Sequence, residues 1–184
     1  KVPERVIVVL DEAYTEYVED ADFPRGFDYL TQYPNLLVSR TFSKAYGLAA
    51  LRVGYAASHP QVADALNRVR QPFNVNSLAL AAALASLGDQ AYLEASRAIN
   101  REGMLQLEHG FRELGLSWIP SRGNFVAVDL GCEAAPVFQA LLREGVIVRP
   151  VANYGMPNHL RVTVGLGMEN QRFLEALTKV LDRG

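Results

Sequence analysis

Five consecutive apolar residues, Val6-Ile7-Val8-Val9-Leu10, run into an aspartate at position 11, and four of the five are β-branched. An uninterrupted run of this kind predicts a strand buried on both faces, as in the parallel sheets of α/β folds. Ligands of open α/β sheets gather at the carboxyl ends of the strands. Asp11 stands at that end, and Glu12, Ala13 and Tyr14 follow, the last with a phenol able to donate a hydrogen bond. A helix N-cap aspartate would explain the carboxylate without any ligand.

A second apolar run, Leu36-Leu37-Val38, leads into Ser-Arg-Thr-Phe-Ser-Lys-Ala-Tyr-Gly-Leu-Ala-Ala-Leu-Arg-Val-Gly-Tyr over residues 39–55. Lys44 sits there among small and hydroxylated residues, and Arg52 follows eight positions later. Most lysines keep the ammonium in water while the stem lies along the surface. This one is expected in a pocket with an anion close by. Desolvation and a neighbouring cation both lower an ammonium pKa, and a neutral amine can attack a carbonyl. The hydroxyls of Thr41 and Ser43, with the guanidinium of Arg52, form a set suited to holding a phosphate.

Taken together, Asp-Glu-Ala-Tyr and the lysine stretch resemble the fold-type I pyridoxal-phosphate aminotransferases, and within them the histidinol-phosphate subfamily. The resemblance covers essentially the whole chain but matches only the second half of such an enzyme. It implies an α/β fold. Residues 1–90 would be part of the large cofactor-binding domain, a mainly parallel sheet with helices. Residues 91–184 would be a smaller α+β C-terminal domain joined to it by a long helix. It also implies that Lys44 binds pyridoxal 5'-phosphate covalently, that Asp11 pairs with the ring nitrogen and Tyr14 with the ring hydroxyl, and that Thr41, Ser43 and Arg52 hold the phosphate. An acid on the pyridine nitrogen is what lets this cofactor act as an electron sink. The freed Lys44 amine would then move a proton as general acid and base. The implied reaction transfers an amino group between L-histidinol phosphate and 2-oxoglutarate, in histidine biosynthesis. A cytoplasmic homodimer with its active site at the subunit interface is implied as well. The family's glycine-containing phosphate turn, ring-stacking aromatic, asparagine near the ring hydroxyl and tyrosine from the second subunit have no counterpart here. The chain alone is therefore expected to bind cofactor weakly. It opens with Lys1 and enters a core strand within a few residues, as a fragment would.

Length and composition agree with this frame. A chain of 184 residues, 49% hydrophobic, can bury one large core or two small ones. A net charge of −2 gives no electrostatic case for nucleic acid or an anionic membrane. The single cysteine, Cys132, excludes an internal disulfide and fits a reducing compartment. The most apolar helical stretch, residues 78–87, is too short and alanine-rich to span a bilayer.

Along the chain, strands are expected at residues 36–40 and 52–57. A helix is expected over 60–70, capped by Ser58 or His59, and another over 78–87, capped by Ser77. A long helix follows over 90–114, with Leu93, Ile99, Leu105, Leu107, Phe111 and Leu114 apolar and Gly115 ending it. Short strands are then expected at 118–120, 125–128, 146–148 and 160–164, with helices over 135–144 and 169–181.

The second half adds three candidates. Arg161 lies inside an apolar strand and needs a partner, because an unpaired buried charge is costly. The resemblance implies that it binds a substrate carboxylate or phosphate, with Arg149 as a second anion-binding arginine, although the loop after it, 150–157, departs in length from the family's. Asn124 matches a motif whose asparagine lies near the substrate, and a turn-capping role explains it equally. His59, His109 and His159 lack metal-ligand spacing and are read as solvated. Gly165-Leu166-Gly167 is read as a turn before the last helix.

Two other readings stay open. A sister activity on the same scaffold, an aromatic aminotransferase or a threonine-phosphate decarboxylase, would use the same lysine. A non-catalytic regulatory domain of this fold would need a DNA-binding segment, which these residues do not show.

Overall fold

The computed structural model describes residues 2–182. The chain divides into two compact units between Ser96 and Arg97.

The first unit holds a three-stranded sheet of order β1-β2-β3, with β1 at Val8–Asp11, β2 at Leu36–Thr41 and β3 at Gly54–Ser58. β1 and β2 are parallel, in register from Val8↔Leu36 to Asp11↔Ser39. β2 and β3 are antiparallel, from Leu37↔Ser58 to Thr41↔Gly54. The expected mainly parallel sheet is thus mixed. The cause is local: between β2 and β3 the chain doubles back, with the amide of Phe42 donating to the Val53 carbonyl at 3.2 Å and that of Leu48 to the Phe42 carbonyl at 2.9 Å.

Burial on both faces belongs to β2 and not, as expected, to β1. Leu36, Leu37 and Val38 are buried, whereas Val9 is 59% and Leu10 40% exposed, and the strand begins at Val8 rather than Val6. Among the described residues β1 has a hydrogen-bonded neighbour on one edge. Its apolar character exceeds the burial that this unit provides.

Helix α1, Pro60–Val69, starts on His59, whose Nδ1 accepts from the Gln61 amide. Helix α2, Ser77–Gly88, is capped by Asn76, not Ser77: Asn76 Oδ1 accepts from the Ala79 amide at 2.8 Å. Ala79 and Ala83 pack with Phe42 and Val53 in a small core. Helix α3, Gln90–Glu113, passes from the first unit into the second.

The second unit is an antiparallel sheet of order β4-β5-β7-β6, with β4 at Ser117–Ile119, β5 at Phe125–Asp129, β6 at Arg149–Val151 and β7 at Met156–Thr163. Alternation decides its faces. Val126 and Val128 of β5, paired with Val162 and Leu160, point into one core with Leu107 and Phe111 of α3. Leu141 of helix α4 (Ala134–Arg143) and Phe173 and Leu177 of helix α5 (Gly167–Leu181) close it. Ile99 and Leu105, two of the apolar positions of α3, are exposed. Val146-Ile147-Val148 is not a strand. Gly145, at φ +77°, turns the chain, and the Val146 amide closes onto the Leu141 carbonyl to end α4. The strand starts at Arg149 instead. In the segment after it, expected as a loop over 150–157, a 3-10 turn over residues 152–154 and Gly155 lead into β7, which begins at Met156 rather than Leu160.

Candidate active site

Parallel pairing brings the carboxyl ends of β1 and β2 side by side. The Oδ1 of Asp11 accepts from the Ala13 amide at 3.2 Å and from the Ser39 hydroxyl at 3.4 Å. Tyr14 follows, just before a 3-10 turn at Thr15–Tyr17. The half-buried Lys44 places its Nζ over the Tyr14 ring, 5.3 Å from the centroid, within cation–π range. Thr41 Oγ1 accepts from the Ser43 amide at 3.1 Å, which sets the first bend of the lysine loop. Gly47 has φ +71°, and a Cβ there would come within 2.6 Å of the Tyr92 hydroxyl. Only glycine suits both conditions. Arg52 also lies in the left-handed region, at φ 54°. Its Nη1 donates to the Ala49 carbonyl at 2.8 Å, so its exposed guanidinium engages its own turn. The structure therefore joins Lys44 to Tyr14 and Asp11 to Ser39, and gives Thr41 and Arg52 backbone partners in their own loop.

The reverse of this strand pair carries an ion pair that the sequence reading did not single out. Arg40 Nε and Nη2 donate to Glu12 Oε2 at 3.0 and 2.8 Å. The Gly26 amide donates to Glu12 Oε1, and the guanidinium lies 4.2 Å from the centre of the Phe27 ring. Burial pulls the Arg40 pKa down, but hydrogen bonding and charge from Glu12, with Tyr55, outweigh it and leave it raised. Nearby, burial pushes the Tyr17 phenol pKa up against an opposing hydrogen bond with Ser96. An open groove lined by Arg70, Phe73 and Leu80 holds none of the candidate residues.

In the second unit, Arg149 and Arg161 are direct cross-strand partners on β6 and β7. Like charges placed opposite one another are destabilising unless an anion is shared. Arg161 lies 5.0 Å from the centre of the Phe125 ring, and its buried Nε has no hydrogen-bond partner among the described residues. His159 is two residues before it on β7 and is half-buried, not solvated. Its Nδ1 is buried without a hydrogen-bond partner among the described residues, and its Nε2 lies 4.0 Å from Asp129. Asn124 is half-buried where β5 begins, and its carbonyl accepts from the Val164 amide at 2.9 Å. His109 is exposed, 3.5 Å from Glu113. Gly165–Gly167 is a turn: the Leu166 amide donates to Glu169 at the start of α5.

Residues 1–180 match the family model of the class I and II aminotransferases. The chain is 77% identical over 183 residues to histidinol-phosphate aminotransferase 2 of Pseudomonas fluorescens, covering 100% of this chain and 50% of that protein. The crystal structure of histidinol-phosphate aminotransferase from Sinorhizobium meliloti in complex with pyridoxal-5'-phosphate superposes with a TM-score of 0.90 at 34% identity, over 99% of this chain and 50% of that one. That of L-threonine-O-3-phosphate decarboxylase from Porphyromonas gingivalis gives 0.81 at 26% identity, over 95% and 55%. The chain spans about half the length of the curated relatives it matches.

Proposed function

The chain belongs to the class I and II aminotransferases, and on that premise we propose that it supplies the lysine-bearing half of an enzyme exchanging an amino group between L-histidinol phosphate and 2-oxoglutarate. The observation that carries the reading is the placement of Lys44 over Tyr14 beside a strand end that carries an exposed carboxylate, Asp11.

The donor set fits pyridoxal phosphate. It comprises one amine, one carboxylate at a strand end, a phenol, two hydroxyls and a guanidinium on adjoining loops, and the lysine loop turns through a left-handed Gly47 against the Tyr92 hydroxyl. When bound, the cofactor supplies an aldehyde carbon and a ring that takes up the electron pair released at the donor carbon. Lys44 would hold that carbon through its amine and would carry the proton as general acid and base. Asp11 keeps a proton on the ring nitrogen, and Ser39 and the Ala13 amide steady its carboxylate. Tyr14, whose ring lies under the Lys44 Nζ, would donate to the ring hydroxyl. Thr41, Ser43 and Arg52 bind the phosphate.

Arg149 and Arg161 take the phosphate of the amino donor. Their pairing across two strands, otherwise repulsive, is explained by a dianion between the guanidinium groups. Asn124 contacts the same substrate. The enzyme works as a homodimer in the cytoplasm.

The full-length protein, assayed for glutamate-linked turnover, should prefer histidinol phosphate over phenylalanine by about 100-fold or more in kcat/KM, as expected where a site is built for a charged group. Equal turnover would favour an aromatic aminotransferase. Release of carbon dioxide from threonine phosphate would favour the decarboxylase.

A further inference from the structure

We propose that Glu12 and Arg40 are a positioning pair: from the back of the sheet they tie the end of β1 to the end of β2 and so fix where Asp11 stands relative to Thr41 and the lysine loop. The inference rests on the reading of this site as a pyridoxal-phosphate pocket.

The strand register makes the geometry explicit. Paired residues of neighbouring strands project to the same side, and successive residues to opposite sides. Asp11 and Ser39 are paired and touch on one face. Glu12 and Arg40, one residue further along each strand, touch on the other. The pair lies directly behind the row that carries Asp11 and Thr41, and neither of its members reaches the reacting atoms.

Among the described residues β1 pairs with β2 alone, and the amide of Glu12, donating to the Ser39 carbonyl at 2.9 Å, is the last rung of that ladder. Asp11 is the last residue of β1, paired with Ser39, and beyond the Glu12 rung the path of the chain toward Tyr14 depends on side chains. The Glu12 carboxylate is held from two sides, by the Arg40 guanidinium through Oε2 and by the Gly26 amide through Oε1. A Cβ on Gly26 would come within 2.7 Å of Glu12 Oε1 and 2.8 Å of a Val38 methyl, so the backbone approach leaves no room for a side chain. The Arg40 guanidinium is held in turn over the Phe27 ring and by a hydrogen bond with the side chain of Tyr55, its partner on β3. The side chains of Arg40 and Glu12 are 20% and 10% exposed. A partly dry pair of this kind fixes geometry far better than an exposed one, because neither charge can swing out to water. The planar fork of Arg40, with two donors on one oxygen, cannot be reproduced by lysine.

The test uses the full-length protein stripped of cofactor and titrated with pyridoxal phosphate, comparing wild type, Glu12→Gln, Arg40→Lys and the core control Val38→Ala. Three quantities are read: the cofactor Kd, the pH midpoint of the bound cofactor's absorbance band, and the melting temperature. Both pair variants should raise Kd about tenfold and move the midpoint by about one pH unit, because Asp11 and the lysine loop no longer hold the ring and its amine at fixed separation. Val38→Ala, buried behind the same strands, should lower the melting temperature without moving the midpoint. If both variants titrate with the wild type, or if the control moves the midpoint equally, the positioning role is overturned while the pocket reading stands. If wild type takes up no cofactor, the pocket reading fails and the pair falls with it. Should Glu12→Gln not fold, Arg40→Lys preserves the charge and answers the question alone.

Discussion

The two sheets solve the problem of burial differently. In the four-stranded sheet of the second unit, strict alternation sends Val126, Val128, Leu160 and Val162 into a core shared with three helices, each of them at most 4% exposed. In the three-stranded sheet of the first unit, β1 has no alternation, and Val9 and Leu10 stand largely in water while only β2 is buried. The unit with the closed core carries no candidate nucleophile, and the lysine loop lies on the other. Apolar packing organises the second unit. The functional edge of the first is organised by directed polar contacts: Ser39 on Asp11, Ser43 on Thr41, Gly26 and Arg40 on Glu12. Such contacts fix angles and distances, which chemistry needs more than bulk stability.

The contrast can be broken by substitution. The largest effect is expected from Lys44→Ala in the full-length protein, a loss of about four orders of magnitude in turnover from one proton-transferring amine, with an unchanged far-UV circular dichroism spectrum. Retained turnover would remove the lysine loop from the chemistry. Next comes Phe111→Ala, fully buried in the second core, which should cost about 3–5 kcal/mol in urea unfolding. Val9→Ala in the same 184-residue chain should stay within about 0.5 kcal/mol. Comparable costs would mean that the two sheets are not built differently. Arg149→Gln should raise KM for the phosphorylated donor about tenfold, the scale of one charge-assisted hydrogen bond. Stability should hold or rise, since one of two facing cations is gone. A fall in stability at constant KM would assign the pair to the fold. The smallest effect is expected from Asn76→Ala, which removes the cap of α2 and should cost about 1 kcal/mol.

How much of this was legible beforehand follows sequence distance. The α/β class, the cofactor-binding resemblance and the long α3 were readable because their signals are local: a strand-like run before Asp11, a lysine in a small-residue loop, a helical period ended by Gly115. Burial of β1 was misjudged because an apolar run states a preference for burial, not which residues meet it. Val146–Val148 was misassigned because three apolar residues after a glycine fit a helix-ending turn as well as a strand. Glu12 and Arg40 went unnoticed because they are separated by 28 residues and meet only through the parallel register of β1 and β2. The facing of Arg149 on Arg161 depends likewise on a register that shifts between Pro150 and Val151.

The chain has three lysines, at positions 1, 44 and 179, so the covalent partner of an aldehyde can be identified without ambiguity. The full-length protein and the 184-residue chain would each be incubated with pyridoxal phosphate, reduced with borohydride and mapped by peptide mass. Stoichiometric modification of Lys44 in the full-length protein, with little in the shorter chain, is the result this account predicts. An unmodified Lys44, or label spread evenly over the lysines of the full-length protein, would contradict it.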